Sequence, residues 1–359
     1  MRLGIVGLGV GGKALLQNAY KAGYDQILTY DTSCANNTLS HIDQVDVMCL
    51  SAGIDVAKAD NKIKELAQHK NLVNDIELFF RHKIKPKVIA VTGSYGKSSV
   101  VFYINQVLTE HGVLNKMVGN IGNPIWDYFE YDGVFVLELS SYQLELLTSL
   151  KAQIGAITNI YPHHLARHKV FEIYAQLKTK LLDTSDISID NRQLNLSNKE
   201  LALHIVESFL HKKIVHKNWI ELEHRQEIFI QKDGFLCIND SKSTAPKAVQ
   251  YALNSVCKDV ILICGGKWDA TAEWGCVDLN RVKELLLFGQ ARFELMKILE
   301  HDSKKTFEML EEVVQFLESA GKLDGDHAIL FSPGCQSFDQ FDNFEHRGKR
   351  FKELVLNRF

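Results

Sequence analysis

Val88-Ile-Ala-Val-Thr-Gly-Ser-Tyr-Gly-Lys-Ser-Ser99 decides the reading of this chain, because a buried apolar strand there runs straight into a glycine turn and a lysine. Beyond it Val100, Val101, Ile104, Val107 and Leu108 recur at helical spacing up to Gly112. Ser98 and Ser99 then fall in the first turn of a helix, whose free N–H groups and dipole favour an anion. Gly93 and Gly96 let the backbone close on a phosphate with Ser94 between them, Lys97 brings a point charge, and the Ser98 hydroxyl suits Mg²⁺. The strict Walker spacing needs glycine at position 91, where Val91 stands, so the cradle is a shortened one, Thr92-Gly-Ser-Tyr-Gly-Lys-Ser98.

Working outward, the N-terminal Leu3-Gly-Ile-Val6 is a short strand followed by Gly7-Leu-Gly-Val-Gly-Gly12, a helix over about 13–22 and a strand at 27–30 ending on Asp31. This G-x-G-x-x-G turn with an acid about 20 residues on places a nucleotide diphosphate at the helix start; glycines used only for helix–strand packing would look the same. A third strand, 45–50, delivers Ser51-Ala-Gly53 to its C-terminal edge. Asn74-Asp-Ile-Glu77 has capping-box spacing, and the basic run 82–87, which contains a proline, marks a domain boundary. Val134-Phe-Val-Leu-Glu138 is a buried parallel strand that presents a carboxylate suited to a metal. The strand 154–160 leads into Tyr161-Pro-His-His-Leu-Ala-Arg-His168, three histidines and an arginine in one loop. Lys178 follows on a helix and, taken as a bare residue, is a solvated lysine.

Residues 183–199 are polar and weakly patterned, and a helix over about 199–211 closes the middle region. From Glu221, strands at 227–230, 235–238, 260–263 and 328–331 alternate with helices near 245–256, 281–287, 291–300 and 310–320, which predicts another parallel sheet. The expected architecture is α/β with three domains: a Rossmann-like 1–85, a central P-loop ATPase-type sheet over 86–220, and a Rossmann-like 221–359. The boundaries between them are expected near 82–87 and 212–222.

Composition narrows the function classes. The 359 residues are 46% hydrophobic with a formal charge of −3, enough for several cores and without a field to gather nucleic acid or an anionic membrane. Seven cysteines (34, 49, 237, 257, 264, 276 and 335) form no C-x-x-C pair and read as reduced thiols. No apolar run approaches the roughly 20 residues of a membrane helix, and a strand begins too early for a signal peptide. A soluble, cytosolic protein is the expectation.

In order along the chain, the cradle, Leu137-Glu-Leu-Ser-Ser-Tyr-Gln-Leu-Glu145, Thr158-Asn-Ile with His164, Tyr174 four residues before Lys178, His224-Arg225 with Glu227, Asn239-Asp-Ser-Lys242 and Ser332-Pro-Gly-Cys-Gln-Ser-Phe-Asp-Gln-Phe-Asp-Asn-Phe-Glu-His-Arg-Gly348 resemble the Mur ligases of peptidoglycan synthesis. The last run resembles the branch that adds D-glutamate to UDP-N-acetylmuramoyl-L-alanine. The resemblance implies an ATP-dependent ligase, expected to be a monomer, that works through an acyl phosphate. Lys97 and the loop would hold ATP phosphates, with Mg²⁺ on Ser98 and Glu138, and a second Mg²⁺ on His164 and a carbamylated Lys178. Arg225, Asp240 and Lys242 would complete the ATP site. Gly9, Val10, Gly11, Gly12, Asp31 and Thr32, with Ser51, Gly53 and Asn120 near the diphosphate, would hold the nucleotide sugar. Thr244, Ser337 and Phe344 would hold D-glutamate, and Lys267 would replace a family lysine whose place falls near Asp269. The chain departs from the family at Tyr95, His163, Ala166 and Leu201 and is shorter between Leu182 and Glu221. Residues 3–31 alone would also suit an NAD-dependent oxidoreductase. Another amino-acid ligase would share the cradle, and a ligase that kept the nucleotide-sugar seat without catalysis would keep the motifs.

Overall fold

The computed structural model describes residues 1–34, 37–84, 86–162, 165–323 and 325–358, the side chains of 165 and 166 excepted. The chain divides into two compact units, 1–220 and 221–359.

The first unit contains two parallel sheets. One is built from β1 (Arg2–Val6), β2 (Gln26–Tyr30), β3 (Val47–Leu50) and β4 (Leu72–Val73) in the order β2-β1-β3-β4. The other uses β5 (Lys87–Thr92), β6 (Asn115–Gly119), β7 (Val134–Glu138), β8 (Ala152–Ile157) and β9 (Ser185–Asp190) in the order β6-β7-β5-β8-β9. β5, the cradle strand, lies at the centre between β7 and β8, so both faces of Val88, Ile89, Ala90 and Val91 are covered and all four are fully buried. One apolar cluster runs from Leu3 and Ile5 through Phe79 and Trp126 to Phe135 and Leu137, joining the two sheets in a single core. Glu77 fastens the same junction. Its carboxylate accepts from the N–H and hydroxyl groups of Thr148 and Ser149 at 2.7–2.8 Å and from Arg81 at 2.8 Å. Only half of the expected capping box therefore forms: Asn74 caps the Asp75–His82 helix through the Glu77 N–H, while the Glu77 side chain works elsewhere.

The second unit is a six-stranded sheet of β10 (Glu227–Lys232), β11 (Phe235–Asn239), β12 (Val260–Gly265), β13 (Val282–Phe288), β14 (Lys304–Phe307) and β15 (Ala328–Gly334), ordered β10-β11-β15-β12-β13-β14. It corrects the sequence reading, which expected four strands and missed β14. The 281–287 segment is the strand β13, not a helix, because its leucines face helices on both sides of a buried parallel sheet. The sheet is not wholly parallel either, since β10 and β11 form an antiparallel hairpin at its edge. The weakly patterned 183–199 contains β9, an edge strand whose alternating exposure left no apolar run.

The segment leading to the unit boundary is held rather than loose. Gln106 takes both main-chain groups of Ile220 at 2.7 and 2.9 Å, the Trp219 ring meets Tyr103 edge-on at 5.0 Å, and His216 pairs with Glu110.

Candidate active site

The cradle forms where β5 ends. Gly93 has φ 151° and Gly96 has φ 79°, both outside the range of ordinary side chains, and the Lys97–Glu110 helix begins immediately after. A Cβ at Gly93 would overlap the Thr158 hydroxyl, and one at Gly96 would lie 2.7 Å from Asn198 Oδ1. The strand end after β8 locks the loop from the other side. Ser94 N–H donates to Asn159 O (2.9 Å), Tyr95 N–H to Asn159 Oδ1 (2.9 Å), and the Thr158 hydroxyl to Tyr95 O (2.6 Å). Ser94 Oγ meets the Tyr174 hydroxyl at 2.8 Å. Lys97 folds back so that Nζ donates to Gly93 O and Ser94 O at 2.9 and 3.0 Å, and Ser98 is buried. Ser99 is half-buried on the same turn.

Two ionisable residues lie deep beside the cradle. Lys178 is not the solvated lysine its bare position suggested: it is 1% exposed and donates to Gly93 O at 2.7 Å and Thr92 Oγ1 at 3.2 Å. Burial, helped by the Lys97 charge and opposed by Glu138, brings its amine down to about 6. Glu138, also 1% exposed, ends β7 opposite Val91 on β5. Its Oε1 accepts from Asn120 Nδ2 at 2.7 Å, and its Oε2 is buried with no hydrogen-bond partner among the described residues. A buried carboxylate oxygen left over beside a phosphate-type loop and a buried hydroxyl fits a divalent cation. Among the described residues no three histidine, cysteine or carboxylate side chains converge as a metal site; the expected ligands include Ser98 and Lys178, and His164 lies outside the described residues with His163.

On the first sheet the glycine turn has the expected form. Gly7 has φ 92°, Gly9 caps the Val10–Asn18 helix, and Gly12 packs so closely on the Gly7 carbonyl that no Cβ fits. Positions Gly9 and Gly53 face open space, and Ser51 backs Gly7. Val10 and Thr32 are exposed, and a Cβ at Gly11 would meet the Asp75 carboxylate at 2.8 Å. Asp31 closes the turn by accepting from Leu8 N–H (2.6 Å) and from Ser33, which holds its carboxyl below the usual range.

In the second unit the strand ends gather the remaining candidates. Asp240 is buried, accepting from Gln226 N–H (3.1 Å) and the Ser243 and Ser332 hydroxyls (2.5 and 2.8 Å); burial outweighs these bonds and the Arg225 charge and pushes its carboxyl up to about 6. His224 and Gln226 adopt left-handed φ of 62° and 51° around Arg225. Lys242 lies over the Phe344 ring with Nζ 3.9 Å from its centre. Arg347, fully buried, ties Ser241 to Cys335 O, while the Lys267 N–H donates to Gln336 O beside the buried Ser337. The Lys267 side chain and Thr244 are exposed, and Asp269 is turned onto Thr271 N–H and Oγ1 at 2.9 and 2.7 Å.

Sequence reasoning gave no role to Asn198 or Asn159, whose side chains shape the loop across gaps of about 100 and 60 residues, a distance no local pattern spans. Leu201, one helical turn after Asn198, is fully buried in the core.

Residues 91–234 match the Mur ligase middle domain. The chain is 30% identical to the UDP-N-acetylmuramoylalanine–D-glutamate ligase of Fusobacterium nucleatum subsp. nucleatum, covering 99% of both chains. It is 30% identical to the enzyme of the same name from Francisella tularensis subsp. novicida, covering 99% of this chain and 95% of that one. The fold is similar to that of a MurF ligase of Thermotoga maritima solved with ADP, with a TM-score of 0.61, 12% identity, and 99% and 95% of the two chains covered. A chain 30% identical to enzymes named UDP-N-acetylmuramoylalanine–D-glutamate ligase over nearly its whole length, with a Mur ligase middle domain at 91–234, belongs to the Mur ligase family.

Proposed function

We propose that this chain is an ATP-dependent ligase that joins D-glutamate to UDP-N-acetylmuramoyl-L-alanine in peptidoglycan synthesis. What carries the reading is the meeting of Lys97, Glu138 and Lys178 at the Gly93 end of β5, in a chain similar over nearly its whole length to enzymes named for this reaction. The γ-phosphoryl group of ATP passes to the L-alanine carboxylate, giving ADP and an acyl phosphate. The D-glutamate amine then attacks the acyl carbon, phosphate leaves with the bonding pair, and the amine proton is lost as the amide forms.

Lys97 exchanges its two loop carbonyls for phosphate oxygens, and the N–H groups of the Lys97–Glu110 helix start face the same charge. Ser98, Glu138, His164 and Lys178 are the residues assigned to Mg²⁺, which when bound neutralises phosphate charge and orients the transferring group. Lys178 is suited to its part because an amine brought to about 6 is largely neutral at pH 7. A neutral amine can add to CO₂, losing a proton and becoming an anionic carbamate. We assign Arg225, Asp240 and Lys242 to ATP, and Thr244, Lys267, Ser337 and Phe344 to D-glutamate. Gly9–Gly12, Asp31, Thr32, Ser51 and Gly53 are assigned to the nucleotide sugar. Asn120, whose amide is on Glu138, can serve both seats. The three sheets act in this reading as three functional domains, for nucleotide sugar, ATP and amino acid. No helix among the described residues is long and apolar enough to cross a membrane.

The test is phosphate release with each substrate omitted in turn. Release that needs UDP-N-acetylmuramoyl-L-alanine and D-glutamate together supports the assignment; ATP turnover indifferent to either, or none with both, overturns it.

A further inference from the structure

The short Leu165–His168 helix after β8, where the sequence suggested a loop, carries Arg167, to which the proposed reaction gives no part. Its Nε and Nη2 donate to the two oxygens of Glu145 at 2.9 and 2.6 Å, and its Nη1 donates to the main-chain carbonyl of Ile54 at 2.8 Å. The guanidinium lies over the Tyr142 ring at 4.5 Å. Next to it, buried His168 meets the Ser141 hydroxyl at 2.9 Å and has Nδ1 3.5 Å from Glu145. Ion pairs on open surface contribute little, but this one is two-pronged and its partners are only 16% and 28% exposed.

The three anchored segments follow the C-terminal ends of three strands. Ile54 follows Ser51-Ala-Gly53 at the end of β3, where Gly53 borders open space. Glu145 closes the short Ser141–Leu144 helix that follows Glu138 at the end of β7. Arg167 itself comes after β8, whose end locks the Gly93 loop. One guanidinium thus spans from the first sheet to the second.

We propose that Arg167 and Glu145 are a positioning pair that fixes the Ser51–Gly53 loop relative to the phosphate cradle, so that a nucleotide sugar held by the first sheet presents its acyl end to the second. This rests on the assignment of the nucleotide sugar to that loop. Neither residue needs to touch the reacting atoms. A loop misplaced by about 1 Å far from the chemistry can lower rate by as much as about 100-fold.

The experiment measures binding of UDP-N-acetylmuramoyl-L-alanine by titration calorimetry without ATP, together with KM for each substrate, in Arg167→Ala, Arg167→Lys, Glu145→Gln and the double Glu145→Ala/Arg167→Ala. Arg167→Ala is expected to weaken nucleotide-sugar binding about tenfold and leave KM for ATP within about twofold. Arg167→Lys should restore little, because an ammonium cannot make the two-pronged contact and reach Ile54 as well. Ethylguanidinium added to Arg167→Ala should recover part of the affinity, and the double variant should be no worse than Arg167→Ala. Glu145→Gln, which keeps the shape, covers the case in which the alanine variants do not fold, and should show the same selective loss at smaller size. Nucleotide-sugar affinity unchanged in Arg167→Ala, or in Glu145→Gln if that variant alone folds, overturns the pair's role while leaving the proposed reaction standing. Unaltered protein that fails to bind the nucleotide sugar overturns both.

Discussion

Replacing Lys178 by methionine should make the protein more stable while abolishing its activity. In the folded chain the amine titrates near 6, against 10.5 when it is free in water. Below about 6 the folded state carries a buried charge and the cost is greatest; it declines as pH rises through the window from about 6 to 10.5 and vanishes above it, since there both states are neutral. At pH 7 the unfavourable term is the 3.5-unit gap to the unfolded value, about 5 kcal/mol. Methionine removes it, but leaves Gly93 O and the Thr92 hydroxyl without the lysine donor, a loss of about 1–3 kcal/mol. A net gain of about 2–4 kcal/mol is expected at pH 7. The pH dependence is sharper than the size: between about pH 7.5 and 9.5 the advantage of Lys178→Met should shrink by about 1.4 kcal/mol per unit, the signature of one proton. Urea unfolding in CO₂-free buffers at four pH values measures it. A difference that stays flat with pH, or a variant less stable throughout, would refute the argument that the lysine is held neutral at a cost to the fold.

Glu77→Gln should lower stability at pH 7 by about 2–3 kcal/mol. Burial works against its charge, yet the Thr148, Ser149 and Arg81 bonds hold its carboxyl at about 2, so its contribution is present above about 4.5 and fades as pH falls toward 2; acid titration of the two proteins should bring their midpoints together. Gly93→Ala should abolish ATP binding in calorimetry and destabilise the chain by about 1–3 kcal/mol, because φ 151° and the Thr158 hydroxyl leave no place for a methyl group. Lys267→Ala should raise KM for D-glutamate about fivefold, equivalent to about 1 kcal/mol from a partly solvated charge pair, with KM for ATP unmoved; unchanged D-glutamate kinetics would leave Ser337, Thr244 and main-chain N–H groups to hold it.

The cradle was legible because its signals are contiguous: strand, glycines, Lys97 and helix follow within a dozen residues. Lys178 was not, because burial is set by what packs around a helix, and periodicity placed it on no special face; only the resemblance marked it. β13 was misread for a related reason. Val282-Lys-Glu-Leu-Leu-Leu-Phe288 is an apolar run of good helix formers, and a strand covered on both faces carries no alternation to distinguish it. Glu77 sat three residues after Asn74 and looked like a capping partner, whereas the bonds that claim it come from residues 148 and 149, beyond the reach of local pattern. Asn198 and Arg167 likewise act on residues about 100 positions away.

The central place of β5 has a consequence for how the chain is made. All four strands of the first sheet have been synthesised by Val73, so that sheet can pair as it emerges from the ribosome. β5 emerges next, but both of its neighbours, β7 and β8, lie later in the chain. At about 5–20 residues per second, the roughly 65 residues from Thr92 to Ile157 take about 3–13 s to appear. Until Glu138 has appeared Val88–Val91 is an apolar strand with two open edges, and until Ile157 it keeps one, the kind of segment that chaperones bind and that pairs with a neighbouring nascent chain when they do not. The same interior position that makes the finished cradle rigid leaves its strand unpaired in the half-made protein.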